Sequence, residues 1–494
     1  MLNATLENET HIGSIGPRTS PVAEDLAQRS AQRAWAQITT AQRLAVLRRG
    51  RLAMSQMSKQ FAEAISAGPA RTPADTRVAE ILPLLAACKF LEQRAIRILA
   101  VRKLGRRGLP LWLAGVESEV QRVPFGIVLV IAPTNYPLFL PGVQTLQALA
   151  AGNAVVWKPG RDGKPVAELF AKAMYSAGLP RQLLQITEDS VKAGEEALRE
   201  NIDKVIFTGS LENAKRVLQT AAEKMIPCTV EASGCDAVIV LPSANLQQVI
   251  HALVFGMRFN GSATCIAPRR IFVTGSASTE ALIDLLLGAL SQTPAIKIST
   301  AVQKRLGDLL TDAQSKGAII RGEIVGTEMR PILVTKATPE MEITQADIFA
   351  PVLSVIEVQD FDEMLRAQQV CPFGLTVSIF GERKEARLIA RSLEVGTVLI
   401  NDLIVSTVDP RIPFGGRRHS GFGVTRGAEG LLEMTTTKVL LAKNSSTARQ
   451  YEPTSADHEL LFDGVIAASH SPTWQQRWNG WKQMLKAGRK LGRD

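Results

Sequence analysis

Apolar residues recur at three- and four-residue intervals through the first hundred positions. Residues 21–35, 40–66 and 75–101 are therefore expected to be helices with one buried face. A basic, glycine-bearing passage, Arg102-Lys103-Leu104-Gly105-Arg106-Arg107-Gly108, ends that period and leads into residues 111–122, which read as a hairpin. From Phe125 the pattern becomes short β-branched runs alternating with helical stretches. The runs fall at residues 127–131, 154–157, 183–186 and 204–207; the helical stretches are 137–151, 165–177 and 211–224. Such alternation predicts right-handed βαβ units and a parallel sheet, which takes its ligands beyond the carboxyl ends of its strands. A second series extends from the run 237–241 through strands near 270–273, 352–358, 376–380 and 397–400 to about Gly427. The expected architecture is α/β, with two Rossmann-like halves and the chemistry between them.

The end of the chain has its own pattern. Residues 444–472 are mostly polar and read as loop-rich. Trp474, Trp478, Trp481 and Leu485 then recur at i, i+4, i+7 and i+11, with Arg477, Lys482, Lys486, Arg489, Lys490 and Arg493 around them. A stripe of this kind suits a helix on an anionic membrane, so residues 473–494 offer a peripheral membrane contact. The same stripe would also serve to pack on the enzyme body or a sister subunit.

Composition narrows the class. The chain has 494 residues, 46% hydrophobic and 21% charged, which is room for two or three domains with large cores. No apolar run reaches the roughly 18 residues of a bilayer span, and the first residues lack the order of a secretory signal. A cytoplasmic location is the expectation. Cys88, Cys228, Cys235, Cys265 and Cys371 form no CxxC pair, and the five histidines no HxxxH pair, so no metal site is expected. The net charge of +10 comes without a nucleic-acid-reading motif, and no nucleic-acid partner is expected.

One thiol stands out. Cys265 closes the run Asn260-Gly261-Ser262-Ala263-Thr264-Cys265, a loop of small and polar residues beyond the helical run 246–259. A lone cysteine is more often a small hydrophobe, but functional residues concentrate on loops held by rigid scaffolds. Its neighbours decide the matter. In order along the chain come Pro124-Phe125-Gly126; Pro133-Thr134-Asn135-Tyr136-Pro137; Ala151-Gly152-Asn153-Ala154-Val155-Val156-Trp157-Lys158-Pro159; Phe207-Thr208-Gly209-Ser210; and Glu231. The Cys265 segment follows, then Asp347-Ile348-Phe349-Ala350-Pro351-Val352, Pro413-Phe414-Gly415-Gly416 and Ser420-Gly421. This ordered series, with 34 residues from Glu231 to Cys265, resembles the aldehyde dehydrogenase superfamily over roughly residues 20–440.

The resemblance implies a mechanism that these residue types can support. Cys265, as thiolate, attacks the aldehyde carbon. The Asn135 amide and the Cys265 backbone N–H hold the oxyanion. Hydride leaves to the nicotinamide, and Glu231 activates water to hydrolyse the thioester. Singly, Asn135 would be a turn residue and Glu231 a solvated strand end. For the cofactor, NAD or NADP, the resemblance designates Lys158 for the adenosine ribose, with Gly209 and Ser210 near the pyrophosphate at a helix N-terminus. Asp347 is assigned to the nicotinamide ribose, where the family usually has the longer Glu. Phe349 lies on the nicotinamide side, and Pro133 and Thr134 line the approach.

Four departures mark a divergent member. Arg161 occupies the position of a common ribose-binding Glu, which predicts tolerance of NADP or a modest preference for it. Ala232-Ser233-Gly234 replaces Leu-Gly-Gly, Thr134 replaces a Trp beside the oxyanion Asn, and Ala214 replaces the last glycine of the pyrophosphate turn. The aliphatic loop 403–408 and the room at Thr134 suggest an apolar or long-chain aldehyde. The implied organisation places the cofactor-binding domain at residues 1–103 and 124–231 and the catalytic domain at 232–428. A bridging or oligomerisation β element follows at 104–123 and 429–443, and a C-terminal extension at 444–494. A homodimer or homotetramer is implied as well. A coenzyme-A-acylating or reductive relative and a non-catalytic scaffold remain as alternatives; Glu231 argues against the first and the complete residue set against the second.

Overall fold

Five consecutive apolar residues, Ile127–Ile131, are all buried, because this strand lies at the centre of a sheet covered on both faces. A computed structural model describes residues 21–65, 71–110, 113, 115–443, 451 and 453–491. Its six-stranded sheet runs in the order Gly421–Phe422, Cys228–Glu231, Lys204–Thr208, Ile127–Ile131, Ala154–Lys158 and Leu184–Ile186. Every pairing is parallel except Gly421–Phe422 on Cys228–Glu231. The order reverses at Ile127–Ile131, where a parallel sheet opens a ligand crevice. A seven-stranded sheet runs Ile319–Arg321, Ile332–Thr335, Val352–Val358, Pro268–Thr274, Asp236–Val240, Thr376–Phe380 and Thr397–Ile400. Only its edge strand Ile319–Arg321 is antiparallel. Four residues, Ala232 to Cys235, carry the chain from the first sheet into the second, so the end of Cys228–Glu231 lies at the junction. The core is filled tightly there: Trp157 is fully buried with Phe170 edge-on at 5.2 Å.

The chain divides into two compact units. The first comprises the described residues up to Val101 together with 121–438; the second comprises 102–120 and the described residues from Val439 onward. Arg102–Leu104, Val116–Pro124 and Thr435–Lys443 form a three-stranded sheet. The hairpin expected within 111–122 is not the one that forms. Arg102–Leu104 is the antiparallel partner, with Arg102 opposite Val120. All three of its side chains are exposed, so no alternation betrayed the strand.

Two long N-terminal helices are also interrupted. Met57, at φ −91° and ψ 11°, divides the first into Thr40–Gln56 and Ser58–Ala64. The second becomes Pro73–Thr76, a π-helical turn Arg77–Ile81 and Leu82–Ile98. Pro83 has no N–H to give the carbonyl one turn back, which favours the wider turn ahead of it. The largest correction falls at 444–472. Ala456–His470 is a helix, its start closed by the Ser455 N–H donating to His458 Nδ1 at 3.1 Å; residues 444–450 and 452 lie outside the described set. Apolar side chains all round this helix hid its period. It packs against Trp474–Leu491 through glycines: a Cβ on Gly480 would come within 2.3 Å of Ala468 N, and one on Gly464 within 2.6 Å of Met484 N.

Candidate active site

The Leu246–Arg258 helix does not simply stop before Cys265; the backbone reverses hand. Asn260, Gly261 and Ser262 have φ of 52°, 59° and 63°. Glycine takes that conformation freely and asparagine tolerates it, but serine pays steric strain. Hydrogen bonds to residues outside it hold the run. Asn260 Nδ2 donates to Asn135 O at 3.2 Å and to Ala263 O at 3.1 Å. The buried Arg269 guanidinium donates to Ser262 Oγ, Ser262 O and Ala350 O at 2.7, 2.6 and 3.0 Å. Cys265 emerges partly buried, and among the described residues no acceptor takes its N–H.

Asn135 lies in the loop between Ile127–Ile131 and the wholly buried Phe139–Ala151 helix. Its Nδ2 donates to Ala263 O at 2.9 Å, leaving the second amide hydrogen for the cavity. Tyr136 OH and Thr264 Oγ1 bond at 2.9 Å, a second tie between the two loops. A buried carboxylate fixes the Asn135 loop from behind. Glu80, in the π-helical turn, accepts Phe139 N at 2.6 Å and Leu138 N at 3.2 Å, and pairs with Arg71 at 2.9 Å. Glu80 thus caps a helix to which it does not belong.

Glu231 ends its strand almost fully buried, opposite Gly421. A Cβ on Gly421 would come within 2.0 Å of Val230 O, so the two strands approach this closely only with glycine there. The Thr425 hydroxyl donates to Glu231 Oε1. Next to it, the buried Arg426 guanidinium lies over the Phe414 ring at 4.3 Å and the Phe139 ring at 5.6 Å, donating to Thr407 O at 2.6 Å. Burial raises the Glu231 carboxyl above its usual range, against the opposing effects of Thr425 and Arg426. Burial also raises the Cys265 thiol, reinforced by the charges of Asp236, Glu231 and Asp347, while Arg426 pulls it down. Gly234 is compelled by the same crowding, since a Cβ there would come within 2.5 Å of Cys265 O. Burial raises the Asp347 carboxyl above its usual range, and the hydroxyl introduced by the departure at Ser233 opposes that.

The other end of the site suits a nucleotide. Lys158 closes its strand with Nζ on Asp189 O at 3.1 Å, and burial lowers its basicity while Asp189 opposes that. Gly160 admits the turn that follows: a Cβ there would lie within 2.4 Å of Pro133 O. A Cβ on Gly209 would come within 2.7 Å of the Phe207 ring. Ser210 caps Leu211–Glu223, placing that helix's free N–H groups beside the site. Asp347 supplies a telling atom. Its Oδ1 is buried and among the described residues has no hydrogen-bond partner, yet the residue lines the cavity, as a receptor for a ribose hydroxyl would.

All eleven residues designated from the sequence line one cavity of about 820 Å³: Cys265, Glu231 and Asn135 with Lys158, Arg161, Gly209, Ser210, Asp347, Phe349, Pro133 and Thr134. The loop 403–408 is not among its walls. Leu403 and Ile404 are buried in the core instead, and Val405 and Val408 face outward. Sequence reasoning missed Arg71, Asp189 and Leu375 in the lining, and Glu80, Thr425 and Arg426 behind it; Phe414, in the Pro413-Phe414-Gly415-Gly416 motif, had been given no role. Asp189-Ser190, a helix-start signal after a strand, is the one local signal that could have drawn attention to Asp189.

The aldehyde dehydrogenase family model matches residues 20–440. A Methylomonas protein named 4,4'-diapolycopene aldehyde oxidase is 30% identical over 415 residues, 81% of this chain and 78% of its own. The structure of an NADP-dependent glyceraldehyde-3-phosphate dehydrogenase from Bacillus halodurans, complexed with NADP, superposes at TM-score 0.77 with 26% identity, covering 85% and 90% of the two chains. An NAD-dependent aldehyde dehydrogenase from Sinorhizobium meliloti reaches TM-score 0.80 at 24% identity, covering 88% and 90%, which is a likeness of fold.

Proposed function

Because the chain belongs to the aldehyde dehydrogenase family, we propose that it oxidises an apolar or long-chain aldehyde to the carboxylic acid, with NAD or NADP as acceptor. One observation carries this reading. A cysteine, a buried carboxylate and an amide donor share a single cavity with a lysine, a helix N-terminus and an unpaired carboxylate oxygen. Cys265 loses its thiol proton to solvent, and Sγ bonds to the aldehyde carbon as the carbonyl electrons move onto oxygen, held by the Asn135 amide and the Cys265 N–H. When bound, oxidised nicotinamide would supply the acceptor for the hydride that leaves the aldehyde carbon as the thioester forms. The resulting thioester is hydrolysed when Glu231 takes a proton from water; the C–O bond forms, the C–S bond breaks and Cys265 is regenerated. Lys158 and Asp347 would hold the two riboses, Gly209 and Ser210 the pyrophosphate.

For the substrate, the lining residues Leu140, Leu375, Phe414 and Ile65 are apolar. Arg71, also in the lining, donates to Glu80 Oε1 at 2.9 Å and to Asn135 O at 3.3 Å, so its charge is already paired with a buried carboxylate. For the cofactor, the Arg161 cation favours a 2′-phosphate, whereas the half-buried Asp189 carboxylate beside Lys158 opposes one. We therefore read the enzyme as using both cofactors. We assign residues 1–103 and 124–231 to cofactor binding and 232–428 to catalysis. The strands around 104–123 and 429–443 would join a homodimer or homotetramer, and the enzyme would work in the cytoplasm. The deciding experiment is an aldehyde chain-length series with each cofactor. kcat/KM should rise with chain length; a clear preference for short polar aldehydes would overturn the substrate reading.

A further inference from the structure

The Trp474–Leu491 helix has eighteen residues, five of them Lys or Arg and none acidic. Its surface falls into three sectors. Gly480 and Ala487 are buried against Ala456–His470, with Met484 half-buried beside them, so this face is already occupied within the chain. On the outer side Trp474, Trp478, Trp481 and Leu485 are 76%, 49%, 41% and 56% exposed. Trp474 and Trp478 stack at 5.8 Å with their planes 7° apart, a paired aromatic surface standing in solvent. Lys482, Lys486 and Arg489 project along one flank of that stripe, all exposed, with Lys482 Nζ 5.7 Å from the Trp478 ring.

The packing removes the neighbouring helix from the choice that the sequence left open. The stripe does not pack on the neighbouring helix, because the glycine-faced sector does so. A row of tryptophans edged by cations is an arrangement that water does not favour and an interface does. The indoles sit at the level of lipid headgroups, and the flanking cations meet anionic phosphates. Among the described residues no helix is long and apolar enough to cross a membrane, so any lipid contact made by these helices lies along the surface.

We propose that the outer face of Trp474–Leu491 docks on an anionic lipid bilayer, with the three indoles inserted at the interface and the Lys482, Lys486 and Arg489 flank against the headgroups. The absence of acidic residues from the helix argues for an anionic lipid surface over a second copy of this chain, since like-charged faces would meet. The surface is independent of the reaction assigned to Cys265, so binding is measured without aldehyde or cofactor.

The test is flotation of the full-length enzyme with vesicles of phosphatidylcholine mixed with phosphatidylglycerol, and with vesicles of phosphatidylcholine alone. Binding should require the anionic lipid and fall as salt is raised. The triple substitution Trp474→Ala, Trp478→Ala, Trp481→Ala should reduce binding at least tenfold. Oxidation of a water-soluble aldehyde should be unchanged, which checks that the variant folds. Lys482→Glu with Lys486→Glu should abolish the dependence on anionic lipid. Equal flotation of parent and triple variant, or no flotation of the parent, overturns the proposal. So does a loss of subunit association in the triple variant, read by light scattering, without any vesicle binding by the parent: that result would assign the face to a second copy.

Discussion

Replacing Glu231 by Gln should divide the reaction at the thioester. The substitution is nearly isosteric, and the Gln carbonyl can still accept from the Thr425 hydroxyl. It also removes a buried carboxyl whose ionised form burial disfavours, so folding stability should change by less than about 1 kcal/mol. What disappears is the base for water. General base catalysis is typically worth about 10²–10⁴ in rate, or roughly 3–5 kcal/mol of barrier. Nucleophilic attack and oxyanion binding use Cys265 and Asn135, and the bonds from Asn135 and Asn260 to Ala263 O in the Cys265 loop are untouched. Rapid mixing with saturating aldehyde and cofactor should therefore give a burst of reduced cofactor near one per subunit. A steady state about 10²–10⁴ slower than the parent should follow. Acid quench and intact-mass measurement should find the acyl group on Cys265, and Cys265→Ser should remove burst and adduct together. A steady state within about threefold of the parent would refute the role of Glu231. A burst lost in parallel with the steady state would place Glu231 before the thioester.

Thr425→Val removes the donor that favours the charged form of Glu231. The acidic limb of the kcat–pH profile should move to higher pH, with kcat near neutrality down by about tenfold; an unmoved limb would dissociate Thr425 from the base. Arg161→Glu should lower the NADP-to-NAD ratio of kcat/KM by at least about tenfold, the value of one charge-assisted phosphate contact. An unchanged ratio would leave Arg161 as a surface turn residue. Asp236 is pushed up to about 7 by burial, although Thr376 N and Oγ1 donate to it at 3.1 and 2.5 Å. An acid whose native pKa exceeds its unfolded value, about 4, stabilises the fold less as pH rises between the two. Asp236→Asn should therefore raise Tm more at pH 8 than at pH 5, by comparison with the parent. It should also speed Cys265 alkylation, since the Asp236 charge raises that thiol. Equal Tm shifts at both pH values would refute the assignment.

The strands that build the two sheets were legible because burial on both faces writes itself as a continuous apolar run: Ile127–Ile131 and Asp236–Val240 are unambiguous. Elements with no such face were not. Arg102–Leu104 is exposed and short, and Ala456–His470 owes its stability to a partner helix eighteen residues on, through glycines that carry no hydrophobic signal. The residues brought to the cavity were found through motifs, each fixed by the backbone it sits on. Glu80, Thr425 and Arg426 escaped because they act across long sequence separations on groups that are themselves buried. A charged residue in a helical pattern reads as solvated surface, and nothing within the run around Glu80 says that its carboxylate closes another helix. The loop 403–408 shows the converse error, where aliphatic residues taken for a substrate wall belong partly to the core.

The left-handed run Asn260-Gly261-Ser262 has a kinetic meaning. Neither Asn260 nor Ser262 keeps that backbone by local preference; Asn135, from a distant segment, and Arg269, in the strand that follows, hold them there. Until both sheets have come together, the loop has no reason to adopt its final hand, and Cys265 is an ordinary thiol on a flexible chain. Cofactor-enhanced alkylation of that one thiol would therefore serve as a clock for the last stage of refolding, starting only after the helical signal has recovered.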